Sequence, residues 1–124
     1  MYNLRPGFMS SVCPKKTLSE LIETARKYNY QGIEFRTEWN HSNGVELESS
    51  SKQRKEIRRQ LSDNNIIASC IATSVRFRSE DPSERKKQRE ILKKYVVLAA
   101  EISALNIRTF GDPLPENDPQ KLQE

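Results

Sequence analysis

Four short apolar runs alternate with three segments that carry helix signals, and this order constrains the fold more than any single residue does. Strands separated by helices make βαβ units, which cross over right-handed and build a parallel sheet. The first run, residues 6–12, leans apolar and exits through Cys13-Pro14-Lys15-Lys16. Thr17-Leu18-Ser19-Glu20 follows as a capping box, in which hydroxyl and carboxylate each satisfy a free backbone N–H at a helix start. Leu18, Leu21, Ile22 and Ala25 then recur at helical spacing and predict an apolar stripe that ends near Tyr28.

The second strand is predicted over Gly32-Ile33-Glu34-Phe35-Arg36. Side chains alternate along a strand, so Gly32, Glu34 and Arg36 share one face while Ile33 and Phe35 share the other. Helices over the Ile33/Phe35 face turn the charged face toward a barrel interior or a cleft; an edge strand with solvated charges is the alternative. A polar loop carrying Trp39, His41 and Gly44 precedes a helix over about residues 51–64, whose only strong apolar residues are Ile57 and Leu61. Residues 66–73 form a near-continuous apolar run of the kind that suits a parallel strand buried on both faces. Asp81 as N-cap, Pro82 at the first helical position and Glu84 closing a box predict the third helix. Its packing face is expected to comprise Ile91, Leu92, Tyr95, Val96, Leu98, Ala99, Ile102 and Leu105. Asn106 breaks that pattern, and residues 107–111 read as strand four, leading into a proline-rich loop from Asp112 to Pro115. Asp118-Pro119 resembles another helix start, which implies that the chain stops inside a repeating βα architecture.

A length of 124 residues predicts one domain over residues 1–124, and 35% hydrophobic against 31% charged residues describes a modest core. No apolar run reaches the roughly 18 residues that a membrane span needs, and the N-terminus has no secretory h-region, so the cytoplasm is the expected compartment. Cys13 and Cys70 lie far apart and predict neither a disulfide framework nor a zinc knuckle. The net charge of +4 raises nucleic acid as a partner. Glu56, Glu84 and Glu90 interrupt the basic clusters, and no aromatic residues are interleaved for base stacking. Solvated helix faces account for these charges better, so no nucleic-acid partner is expected.

The runs Leu18-Ser19-Glu20-Leu21 through Gly32-Ile33-Glu34-Phe35-Arg36, Ala72-Thr73-Ser74-Val75-Arg76-Phe77, Leu98-Ala99-Ala100-Glu101 and Ile107-Arg108-Thr109-Phe110-Gly111 resemble the sugar phosphate isomerase/epimerase family of xylose isomerase-like (β/α)8 barrels. The resemblance implies an α/β fold of parallel βα units, a partial TIM barrel holding strands one to four. It further implies a small-molecule substrate, a sugar or sugar phosphate. The family's divalent metal ion sits on carboxylates and a histidine at later strands, so this chain alone is not expected to bind it, and the catalytic residues are expected downstream.

A barrel of this kind works at the C-terminal ends of its strands. Ser10, Ser11, Glu34, Arg36, His41, Ser74, Arg76, Gly111 and Asp112 therefore make the expected rim, with Glu34, Arg36, His41 and Arg76 as the substrate-binding candidates. Glu34 suits substrate hydroxyls, or else an internal salt bridge with Arg36 or Arg108. Arg36 or Arg76 suits a carboxylate or phosphate, because guanidinium offers a planar fork. His41 is the sole histidine, which leaves no histidine pair for metal; it is read as solvated or in contact with substrate. Trp39 stacks on a sugar face in one reading and covers the mouth or an interface in the other. Cys70 sits in an apolar run where a thiolate is disfavoured. Two further readings stay open: a non-catalytic half-barrel that self-associates as a homo-oligomer through open sheet edges, and an endonuclease-IV-like DNA repair protein, which would need more metal histidines than His41.

Overall fold

In the computed structural model, which describes residues 3–111, four strands lie in one parallel sheet in the order β1-β2-β3-β4. They are β1 (Gly7–Met9), β2 (Gly32–Arg36), β3 (Ile67–Arg76) and β4 (Ile107–Phe110), connected through α1 (Leu18–Lys27), α2 (Ser51–Asp63) and α3 (Pro82–Ile102). The alternation of strand and helix is the one the sequence predicts. Among the described residues β1 and β4 each pair with a single neighbour, so each leaves an outer edge.

Local chemistry sets each boundary. Thr17 and Glu20 form the predicted capping box, and the backbone bond to Thr17 holds the Glu20 carboxyl below its usual range. Ser50 and Gln53 form a second, unforeseen box at the start of α2. At α3 the predicted box with Glu84 does not form. The Asp81 carboxylate accepts from the Ser83 N–H at 2.9 Å, one residue short of Glu84, whose own carboxylate accepts from Gln88 at 2.9 Å.

All three helices end by one device. Asn29, Asn65 and Ser103 take left-handed φ values of 58°, 55° and 59°. The next N–H then returns to the carbonyl five residues earlier, Tyr30 to Ala25, Ile66 to Leu61 and Ala104 to Ala99, the Schellman arrangement. This stops α3 at Ile102 and leaves Leu105 beyond it and exposed, so Leu105 does not join the packing face. Val96 is exposed as well.

The core lies between the sheet and the helices. Ile33, Phe35, Ile71 and Val75 meet Leu21, Ala25, Leu61, Tyr95 and Leu98 there, all buried. Two strand expectations change. Residues 10–12 form a 3-10 turn rather than continuing β1, and Ser10 is buried inside it. β3 runs three residues past Thr73, because Arg76 pairs with Phe110 of β4. Nor is β3 buried on both faces: Ile67, Ser69, Cys70 and Ser74 are half-buried, since no second layer covers their side among the described residues. The Asp112–Pro115 loop and the Asp118-Pro119 helix start lie outside the described residues.

Candidate functional site

The sheet face turned away from the helices carries the site. On β2, Ile33 and Phe35 are fully buried while Glu34 and Arg36 on the opposite face are half-exposed, as alternation requires. Strand register arranges the polar residues in rows: Met9, Glu34 and Cys70 lie abreast, then Arg36, Ala72 and Arg108, then Arg76 beside Phe110.

The Arg36 guanidinium donates to the Ala72 carbonyl and to the Ser74 hydroxyl, both at 2.8 Å. Its carbon lies 5.7 Å from the centroid of the Trp39 ring, and the indole N–H donates to the same Ser74 hydroxyl at 3.3 Å. Trp39 is therefore held in place although it is 72% exposed. Its backbone is unusual too, because Glu38, Trp39 and Asn40 have successive φ values of 65°, 59° and 55°. Left-handed backbone costs an L-residue about 1–2 kcal/mol, so three in a row require firm anchors.

Those anchors come from two sides. The Glu38 N–H donates to both Glu46 carboxylate oxygens at 2.8 and 3.0 Å, and the Tyr95 hydroxyl donates to the Glu38 carboxylate at 3.2 Å. Tyr95 also shares a hydrogen bond with the buried Thr37 hydroxyl, which reaches the Ala72 carbonyl at 3.3 Å. Burial pushes the Tyr95 phenol up to about 12. Burial likewise raises the Glu46 carboxyl, against the opposing pull of the Glu38 N–H. From below, the Ser10 hydroxyl accepts the Arg36 N–H at 2.9 Å, and the Asn43 amide donates to the Arg36 carbonyl at 2.9 Å. Ser10, expected on the rim, is thus a buried support for it.

At the ends of β3 and β4, the guanidinium carbons of Arg76 and Arg108 lie 5.2 and 4.8 Å from the centroid of the Phe110 ring. Neither arginine makes an ion pair among the described residues. The Arg108 Nε is buried and meets no hydrogen-bond acceptor.

The four sequence candidates therefore separate. Arg36 and Arg76 stand at the C-terminal strand ends. Glu34 stands mid-strand and lines a cleft of about 350 Å³ with Gly7, Met9, Gly32 and Ile67, toward the strand starts. It forms no salt bridge with Arg36 or Arg108. His41 lies in the loop after β2 with a buried Nδ1 lacking a partner, and it bonds to none of the other three. Asp112 lies outside the described residues. A larger groove of about 610 Å³ lies on the outer layer between α1 and α2, remote from the strand ends. Burial and the nearby Glu34 charge raise the Cys70 thiol, which keeps it protonated and non-nucleophilic. Sequence reasoning passed over Phe110 and Tyr95 as site residues. The alternation of Arg108 and Phe110 against Ile107 and Thr109 was the signal available for the first; a core tyrosine in a helical stripe offered none for the second.

The divalent metal that the resemblance implies needs several converging oxygen, nitrogen or sulfur ligands. Among the described residues no three His, Cys, Asp or Glu side chains converge on one point. The described residues do not fit a metal centre by themselves.

A family model described as a xylose isomerase-like TIM barrel matches residues 22–124. Among solved structures, a D-psicose 3-epimerase crystallised in the presence of D-fructose aligns with a TM-score of 0.69 at 19% identity, over 94% of this chain and 41% of that one. A probable 3-DHS dehydratase, AsbF, involved in petrobactin synthesis from Bacillus anthracis, aligns with a TM-score of 0.71 at 15% identity, over 97% of this chain and 43% of that one. At these identities the likeness is one of fold, and the chain spans less than half the length of either structure. No curated protein matches the sequence.

Proposed function

The chain belongs to the xylose isomerase-like TIM barrel family, and from that premise we propose that it supplies the first four βα units of a metal-dependent sugar phosphate isomerase/epimerase-like enzyme. The substrate class is a sugar, sugar phosphate or keto-polyol. An epimerase and a dehydratase as fold neighbours support a reaction at a carbon beside a carbonyl or hydroxyl. The observation that carries the reading is the exposed Trp39 ring, held by Arg36 and Ser74 at the end of β2, where such barrels bind substrate. Trp39 packs on a sugar ring and Ser74 and Arg36 fix its orientation; Glu34 accepts from hydroxyls deeper in the sheet face. The metal and the catalytic carboxylates come from strands beyond β4, so the isolated chain binds substrate without turning it over. The cytoplasm is the proposed compartment, and no helix among the described residues is long and apolar enough to cross a membrane.

Trp39 is the only tryptophan, so its fluorescence reports on the site directly. Titration with D-fructose and with a ketose phosphate is expected to shift or quench the emission saturably, while NMR of the sugar pool, with a divalent ion added, shows no new epimer. Failure of any ketose to perturb Trp39 overturns the sugar-binding reading. Epimer formation by this chain overturns the proposed division of labour. A second reading, a homo-oligomer closed through sheet edges, is supported by the single pairing of β1 and β4. A monomeric mass by light scattering counts against it.

A further inference from the structure

Arg76, Phe110 and Arg108 form one cluster at the ends of β3 and β4, and we infer that it is a binding subsite for an oxyanion, the phosphate or carboxylate group of the substrate. The inference deepens the sugar-binding reading above by giving the substrate a negative charge, and the test below separates the two.

Register builds the cluster. Arg76 lies directly across from Phe110, and Arg108 precedes Phe110 by two residues on the same face. One ring therefore receives two guanidiniums, at 5.2 and 4.8 Å from its centroid. Like charges brought to one ring repel, and the aromatic face compensates each of them weakly.

Two arginines elsewhere sit on carboxylates: Arg54 meets Glu101 at 2.6 Å, and Arg59 meets Glu56 at 2.6 Å and Asp63 at 2.7 Å. Here no carboxylate among the described residues pairs with either arginine. Glu34, the carboxylate on these rows, stands beside Cys70, one row deeper than Arg108. Arg108 also keeps a buried Nε–H with no acceptor, an unmet hydrogen bond that a ligand oxygen relieves once the guanidinium turns toward it.

Arg36 differs. Both terminal nitrogens of its guanidinium already donate, to the Ala72 carbonyl and the Ser74 hydroxyl, which anchors it against Trp39, whereas neither the Arg76 nor the Arg108 guanidinium donates to any group among the described residues. Arg36 and Arg108 flank Ala72 in a single row, with β3 between them. A substrate lying across β3 thus places its ring toward Trp39 and its anionic end toward Phe110. Guanidinium forks match phosphate and carboxylate alike, which is why the shared chemistry is assigned.

The test uses the full chain labelled with ¹⁵N-arginine, following the Nε–H resonances through titrations with inorganic phosphate, acetate and D-fructose. Phosphate or acetate is expected to move the Arg76 and Arg108 signals saturably while the paired Arg54 and Arg59 stay still. The tighter of the two anions identifies the group. Arg76→Gln, at an exposed position, and Arg108→Lys, which keeps charge but loses the fork, are each expected to weaken binding about tenfold. Absence of a saturable shift with both anions, or equal shifts at Arg59, overturns the subsite. Fructose binding without anion binding leaves the sugar reading standing and removes this inference; anion binding without fructose binding does the reverse.

Discussion

Replacing Tyr95 by Phe tests whether the helical layer holds the strained turn after β2. Tyr95 is 1% exposed, and its ring fills the core beneath that turn. The substitution keeps the ring and removes only the hydroxyl, which bonds to Thr37 at 3.2 Å and to the Glu38 carboxylate at 3.2 Å. A buried neutral hydrogen bond contributes about 1 kcal/mol net, and the bond to the water-exposed Glu38 adds less, so the expected cost is about 1–1.5 kcal/mol. That corresponds to a fall in Tm of about 4–6 °C for a chain of this size. Tyr95→Ala, which also empties the ring's volume, should cost about 3–5 kcal/mol. Urea denaturation followed by circular dichroism measures each. A double-mutant cycle with Thr37→Val should return a coupling of at least about 0.5 kcal/mol. The pH dependence gives an independent check. An unfolded tyrosine ionises near 10, whereas burial holds this one to about 12 in the folded protein. Across that interval the unfolded chain releases a proton that the folded chain retains, so wild-type stability falls as pH rises. The Phe variant has no such proton, and the stability gap between the two proteins should narrow from pH 10 toward 12. A Phe variant within about 0.5 kcal/mol of wild type at neutral pH, with a gap that does not change with pH, refutes the reasoning.

Arg54 ties α2 to α3 through Glu101 at 2.6 Å and also donates to the Leu47 carbonyl at 2.7 Å, so Arg54→Ala should cost about 1.5–3 kcal/mol in denaturant titrations. Arg59→Ala, at a fully solvated pair of bridges, should leave the same titration nearly unchanged. Glu46→Gln retains an acceptor for the Glu38 N–H and removes a half-buried charge. Because burial raises the Glu46 pKa, wild type carries extra stability at low pH and loses it as pH rises through that pKa; the Gln variant should lack this slope, read by urea midpoints across the carboxylate range. Glu46→Ala, which deletes the acceptor, should cost about 1–2 kcal/mol and shift Trp39 emission.

Much of the architecture was legible because local signals agreed with one another. Thr17 and Glu20 announced α1, the Ile33/Phe35 alternation oriented β2, and the order of elements implied the parallel sheet. The boundaries that moved were set by partners distant in sequence. β3 extends to Arg76 because Phe110 pairs with it, and no local signal in residues 74–76 shows that. The end of α3 rests on Ser103, a residue type that signals the left-handed region less clearly than Asn29 or Asn65. At the site, Glu34 and Arg36 were readable from period two. The partners that fix Arg36 were not, since Ser74 and the Ala72 carbonyl arrive from another strand. Trp39 was visible as a residue, but its left-handed backbone is imposed by Glu46 and Tyr95, which nothing in the loop sequence announces.

The strand order has a consequence for how the chain assembles. Because sheet neighbours are also neighbours in sequence, each strand pairing closes only one helix-containing connection, which keeps the entropy of loop closure low at every step. Strand order in the sheet and order along the chain coincide, so each strand after β1 can dock on a neighbour that precedes it in sequence, at one border of the sheet.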